Sequence, residues 1–210
     1  MWANNPICLA KCITNHPSQP PKFVDMTDIK QNLSLIIQEH LALLDQLDSE
    51  QLAPLAAYIK SVDRIFVYGA GRTGLALKAA AMRLMHLGYT VHVVGETTTP
   101  AIRIGDMLLV ASGSGTTASI VGAAEKARKA SATVVALTTA VNSPLASLAS
   151  AVVVIPAAQK QDHGETVSKQ YAGSLFEQSV WLLMDAMFHS LWKEAGTAAE
   201  ELWKRHANLE

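Results

Sequence analysis

The chain has 210 residues, half of them apolar, which is enough for one domain with a large buried core plus helical additions. Its 17 Lys and Arg offset 18 Asp and Glu, so the basic footprint of a nucleic-acid partner is absent. No apolar run approaches the ~20 residues of a transmembrane helix, so no membrane partner is expected.

Residues 1–25 are rich in Pro, Asn and polar side chains, as in Asn15-His-Pro-Ser-Gln-Pro-Pro-Lys22. Such composition predicts an irregular extension ahead of a single domain over 26–210. Both cysteines, Cys8 and Cys12, fall in this extension. A lone C-x-x-x-C pair supplies too few ligands for zinc, and a chain this long and Cys-poor argues against a disulfide frame. Lys11 sits between short mixed segments, unlike the charged-then-apolar order of a signal peptide. A reduced, cytoplasmic protein is the expectation.

From residue 28 to about 47, Ile29, Leu33, Ile36, Ile37, Leu41 and Leu44 recur at helical spacing. Asp48-Ser-Glu-Gln51 reads as a capping box for a second helix to about residue 61. Short β-branched runs then alternate with helices. Strands are predicted at 64–69, 90–95, 106–111, 132–138 and 151–155, and helices at 73–87, 116–130 and 143–149. The strands are apolar almost throughout rather than alternating, as strands covered on both faces of a parallel sheet are. The expected fold is therefore α/β, a doubly wound five-stranded parallel sheet flanked by helices, with an N-terminal helical extension. A long polar loop follows at 157–172, a length that usually carries function. The last predicted helix, 174–194, is apolar over much of its surface, which predicts burial, in part by a neighbouring subunit.

Two of these βα units share a pattern. Arg64-Ile-Phe-Val-Tyr-Gly69 leads into Gly69-Ala-Gly-Arg-Thr-Gly74, and Asp106-Met-Leu-Leu-Val-Ala111 leads into Ser112-Gly-Ser-Gly-Thr-Thr117. Ligands of such sheets sit at the carboxyl ends of the strands, so both loops lie on the binding edge. The second loop has no Lys and is not a nucleotide P-loop. Its hydroxyls and the helix dipole behind it suit a small phosphomonoester, such as a sugar phosphate. The plainer reading of Ser112, Ser114 and Thr117 is a Gly/Ser turn with a helix N-cap. The first loop formally matches the dinucleotide fingerprint Gly-x-Gly-x-x-Gly, and Glu96 after the second strand could mimic its acidic ribose ligand. That reading leaves the second loop without a role. We therefore read Gly71, Arg72 and Thr73 as a sugar-binding loop.

These blocks, with Ala81-Met-Arg-Leu-Met-His-Leu-Gly88, Val94-Gly-Glu-Thr-Thr-Thr-Pro-Ala-Ile102 and Gly173-Ser-Leu-Phe-Glu177, resemble the sugar-isomerase (SIS) domain family over residues 28–195. The Ser-Gly-Ser-Gly-x-Thr loop marks the family as a whole. The Met-Arg-Leu-Met-His and Gly-Glu-Thr-Thr-Thr-Pro blocks mark its 6-phospho-3-hexuloisomerase branch. Thr73 stands where that branch usually has Ser, and Thr116 where Glu or Arg is common. The resemblance implies interconversion of D-arabino-hex-3-ulose 6-phosphate and D-fructose 6-phosphate, in the ribulose monophosphate route of formaldehyde fixation. It also implies a homotetramer that uses no nicotinamide and no metal.

The resemblance assigns roles to particular residues. Ser112, Ser114 and Thr117 match the phosphate-binding hydroxyls. Glu177 matches the carboxylate placed at the sugar, although Ser174-Leu-Phe-Glu177 also fits a capping box. His86 matches a histidine placed at a neighbouring subunit's active site, although a histidine at a helix C-terminus also suits the dipole. Glu96 is read as a sugar ligand, against a plain loop charge. His40 and His163 are left as surface or loop residues. The competing functions are another SIS aldose–ketose isomerase, such as one acting on arabinose 5-phosphate, and a non-catalytic sugar-phosphate-binding module. Such aldose isomerases usually carry further histidines where this chain has Thr97-Thr-Thr-Pro100, and such sensors usually carry a DNA-binding domain.

Overall fold

The computed structural model describes residues 26–159 and 167–209. The predicted extension 1–25, with Cys8 and Cys12, lies outside the described residues, as does His163. The chain divides into two compact units, residues 1–35 and 36–210. In the first, the described residues form the opening turns of helix α1 (Met26–Leu44), where Ile29 and Leu33 are exposed.

The second unit holds the rest of α1 and the α/β body. In it α2 (Leu52–Ser61), β1 (Ile65–Gly69), α3 (Gly71–His86), β2 (Val91–Val93) and β3 (Met107–Ala111) follow in order. They are succeeded by α4 (Ala118–Lys129), β4 (Thr133–Thr138), α5 (Pro144–Leu148), β5 (Ala151–Val154), α6 (Ser174–Ala195) and α7 (Ala199–Trp203). The five strands form one parallel sheet in the order β2-β1-β3-β4-β5. The order reverses between β1 and β3, which places a topological switch point between the two glycine-rich loops.

Apolar strands are explained by cover on both faces. Ile65, Val67, Met107, Leu109, Val135 and Leu137 pack with α2, α3 and α6, through Leu55, Ile59, Leu77, Leu84 and Val180. The alternate residues Phe66, Leu108, Val110, Val134 and Ala136 pack with α4 and α5, through Ile120, Ala124 and Leu145. At the foot of the sheet, Arg64 clasps Asp106 with Nε at 2.9 Å and Nη2 at 2.6 Å, and the Arg103 N–H donates to the same carboxylate at 2.8 Å. Burial alone would push the Asp106 carboxyl up, but Arg64 and the Arg103 N–H outweigh it and hold the carboxyl below its usual range. This clasp ties the start of β1 to the start of β3.

Several boundaries differ from the sequence reading. β2 spans only Val91–Val93, because Gly95 at φ +96° turns the chain away from the sheet. Asp48 does cap, accepting from the Glu50 N–H at 2.9 Å, but it caps a single 3-10 turn (Ser49–Gln51) that precedes α2. Gln51 donates to Asp48 and also accepts the Val154 N–H of β5 at 2.7 Å, so it links this turn to the sheet edge. The segment Ala199–Trp203, which no sequence pattern announced, is a helix.

Candidate active site

The site is built on the reversal between β1 and β3. Gly69 and Ala111, the last residues of these strands, are register partners, so the two loops leave the sheet side by side. The first loop turns at once into α3. Gly74 packs so tightly on the Gly69 backbone that a side chain at Gly74 would collide with the Gly69 carbonyl oxygen. This approach sets Arg72 and Thr73 in the first turn of α3.

The second loop carries the hydroxyls. Gly115 turns through φ +63° against Ser143 and Thr138, leaving no room for a side chain there. Two threonines at the end of β4 and just beyond it fix the loop: Thr138 Oγ1 and Thr139 Oγ1 both donate to the Gly113 carbonyl, at 3.0 and 2.9 Å. Thr117 occupies the N-cap position of α4 but makes no side-chain capping bond. Its hydroxyl instead lies 3.0 Å from Ser112 Oγ. Ser114 Oγ accepts from Thr116 Oγ1 at 2.9 Å and from its N–H at 3.3 Å. The plain capping reading therefore fails for Thr117, and helix α4 points its positive end at a cluster of hydroxyls.

A cavity of about 240 Å³ and a second of about 140 Å³ open on this edge. The smaller is lined by Thr73, Ser112, Ser114, Thr117, Gly173 and Phe176, so it brings both loops together with the start of α6. Arg72 and Glu177 are not among its lining residues; each is the sequence neighbour of one, Thr73 and Phe176. Arg72 Nη1 lies 3.2 Å from Glu177 Oε2 and donates to Ser174 Oγ at 3.1 Å. Glu177 is buried, at 8% exposure, while Arg72 is 60% exposed. Ser174 does not serve as the cap of α6. Gly173 is the N-cap, the Glu177 N–H bonds the Gly173 carbonyl, and the Ser174 hydroxyl donates to the Tyr171 carbonyl at 2.7 Å. The carboxylate at this helix start pairs with Arg72.

The larger cavity is lined by Tyr68, Leu77, Lys78, Val94, Gly95 and Glu96, among others. Glu96 pairs with Lys78 at 2.7 Å there and is not brought to the hydroxyl cluster. Nor is His86. It ends α3, fourteen residues beyond Arg72, which at 1.5 Å per residue is about 20 Å along the helix. It is 2% exposed, and burial, then His206, then Arg83 push its pKa down. Within one chain Glu177 and His86 cannot share a substrate.

Two supports of the site carried no sequence signal. Glu39 of α1 accepts from Ser168 Oγ and the Lys169 N–H, both at 2.7 Å, and from Gln170 Nε2 at 2.9 Å. It thereby fastens the segment that leads into Tyr171 and Ser174. Burial would raise the Glu39 carboxyl, but these donors outweigh it and hold it low. His40, read as a surface residue, meets Gln178 at 3.0 Å on α6. A helical period shows that α1 is amphipathic, but not which loop its polar face grips. Among the described residues no group of three or more His, Cys, Asp or Glu could hold a metal, and no helix is long and apolar enough to cross a membrane.

The chain is similar to known proteins over most of its length. The SIS domain family model matches residues 58–180. A 3-hexulose-6-phosphate isomerase of Mycobacterium gastri is 60% identical over 183 residues, covering 87% of this chain and 92% of its own. A 3-hexulose-6-phosphate isomerase of Bacillus subtilis is 40% identical over 165 residues, covering 78% and 89%. The crystal structure of a Methanococcus jannaschii protein, from which a molecular function of 3-hexulose-6-phosphate isomerase was inferred, superposes with a TM-score of 0.75 at 28% identity, over 86% of this chain and 99% of that one.

Proposed function

Since the chain belongs to the SIS domain family, we propose that it interconverts D-arabino-hex-3-ulose 6-phosphate and D-fructose 6-phosphate. The observation that carries this reading is the uncapped helix start. Ser112 and Thr117 face each other at 3.0 Å in a cavity also lined by Ser114, where capping alone would have used Thr117 on its own helix. That cluster suits the three oxygens of a phosphomonoester. Two relatives named as 3-hexulose-6-phosphate isomerases, at 60% and 40% identity, supply the substrate.

Moving the carbonyl from C3 to C2 requires loss of the C2 proton, passage through a cis-enediol and return of the proton at C3. One carboxylate can make both carbon transfers. Glu177 is the proposed base. It sits one helical residue from Phe176 in the cavity wall, with Arg72 against it at 3.2 Å. Arg72 steadies the ionised carboxylate and, being mostly exposed, also meets the substrate with Gly71 and Thr73. The oxygen protons must move too, from O2 to O3, and an acid–base group must serve them. His86 is the proposed group, acting at the site of a neighbouring subunit, since its own Glu177 is out of reach.

This reading requires self-association. Exposed apolar side chains line several helices, including Leu41 and Leu44 on α1, Met82 and Met85 on α3, and Trp181 and Leu182 on α6. A homotetramer in the cytoplasm, serving formaldehyde assimilation, is the assembly and setting we propose. Glu96, facing the separate cavity, would reach sugar only from a neighbouring subunit or after release from Lys78. The test is direct. Purified protein is given the 3-hexulose 6-phosphate, and fructose 6-phosphate is measured, with arabinose 5-phosphate as a parallel substrate. Conversion of arabinose 5-phosphate alone would transfer the chain to the aldose isomerases. Conversion of neither, with sugar phosphate bound, would make it a binding module.

A further inference from the structure

The last helix of the chain folds back on the end of α3. Leu202 anchors it, at 7% exposure. Beyond it, Arg205 Nη1 donates to the His86 carbonyl at 2.9 Å, and its guanidinium lies over Gly88. The His206 ring stacks on the His86 ring with centroids 4.0 Å apart and planes 24° from parallel. Trp203 backs His206 in turn, at 4.5 Å. His86 is thereby buried, and among the described residues its Nδ1 has no hydrogen-bond partner. A buried ring nitrogen left without a partner is costly for structure alone. None of these arm residues belongs to the site described above.

We propose that His206 is a positioning residue for the isomerase reaction: with Arg205 it fixes the plane and cover of the His86 ring that serves a neighbouring subunit's substrate. The inference rests on the acid–base reading of His86. The stack sets the ring plane, and the Arg205 bond locks the residue that carries it. Among the described residues, Arg83 on its own helix and Arg205 and His206 on the arm lie against His86. The nearest acid on the packed α6, Asp185, lies toward Arg83 at 3.9 Å. Burial first, then His206 and Arg83, push the His86 pKa down. The ring stays neutral down to lower pH than a free histidine, and a neutral imidazole can take a hydroxyl proton and return it.

The test uses the full-length enzyme and two substitutions. In His206→Ala the ring of His86 is opened to water and loses the neighbour that, after burial, most lowers its pKa. Its NMR titration midpoint, assigned by the resonance that disappears in His86→Gln, should move to higher pH. The acid limb of the kcat/KM profile for fructose 6-phosphate should move with it. On the alkaline plateau kcat should fall roughly ten- to hundredfold, the scale for residues that orient a reacting group. In His206→Phe the stack remains, so plateau kcat should return toward the parent value. An unchanged midpoint and acid limb in His206→Ala, at parental thermal midpoint and oligomer size, would overturn the proposal. Loss of the fold in that variant would show the arm to be structural and would also overturn it, unless His206→Phe restored both fold and turnover. The acid–base reading fails separately: full turnover in His86→Gln removes it, and with it any catalytic consequence of the arm.

Discussion

Replacing Glu177 with Gln is the sharpest test of the proposed chemistry, because the structure separates its structural cost from its catalytic cost. The substitution keeps the size of the side chain and leaves an amide oxygen that still accepts from Arg72. The Arg72 ion pair, 3.2 Å long, is lost, and its arginine is 60% exposed. Solvent screens such a pair, so its loss costs about 1 kcal/mol or less. In a chain of this size that lowers Tm by roughly 2–4 °C. The helix start is untouched, since Gly173 rather than Ser174 forms the cap. Removal of a general base lowers turnover by a factor on the order of 10²–10⁴, equivalent to about 3–5 kcal/mol of barrier. Catalysis should therefore fall far more than stability. Steady-state turnover of fructose 6-phosphate and a thermal melt on one preparation give both numbers. Turnover within a few-fold of the parent, at an unchanged Tm, would refute the assignment of Glu177 as base.

Ser114→Val should weaken substrate binding by about 1.5–3 kcal/mol, roughly a ten- to hundredfold rise in KM, with kcat less affected; an unchanged KM counts against the phosphate cradle. Gly115→Ala adds a side chain at φ +63° against Ser143 and Thr138. Strain and overpacking together should cost about 2–4 kcal/mol, read by chemical denaturation. Asp106 has its carboxyl held low in the folded state. Its contribution is therefore complete above the unfolded pKa near 4 and is lost as pH falls through the lower folded value. Asp106→Asn should lower Tm by roughly 5 °C or more at pH 7 and should flatten the Tm decline below pH 4; a parallel decline would show that the Arg64 clasp does not drive it. Light scattering should find an oligomer at micromolar concentration, and a stable, fully active monomer would remove the shared-site mechanism.

The α/β body was legible because its elements obey simple periods. Five apolar runs, each ending in small or polar residues, read as strands of a sheet covered on both faces, and the glycine loops at 69–74 and 112–117 marked the edge proposed to bind. The hydroxyl loop was legible as chemistry, but only the fold shows Thr117 facing Ser112 rather than its own helix, which supports the proposed phosphate cradle. Glu177 looked like a capping partner because spacing alone cannot show that the cap falls one residue earlier, on Gly173. Arg72 was read from its glycine-rich loop, but its contacts with Glu177 and Ser174 join residues a hundred positions apart, which no local pattern encodes. Glu39 and the helix Ala199–Trp203 were illegible for the same reason: one is a polar residue on a helix face, the other a five-residue segment, and only tertiary packing gives either a role.

The pairing of β1 with β3 has a consequence for the order in which this molecule matures. Gly69 and Ala111 must be neighbours before the two loops can face each other, yet the whole of α3 and β2 lies between them in the chain. Closing that crossover is a non-local event, slower than winding either helix. On refolding, helical signal should thus recover before the ability to hold sugar phosphate, and the Arg64–Asp106 clasp, at the opposite end of the same two strands, is where that late step is latched. The half-made protein would be rich in helix and blind to its ligand.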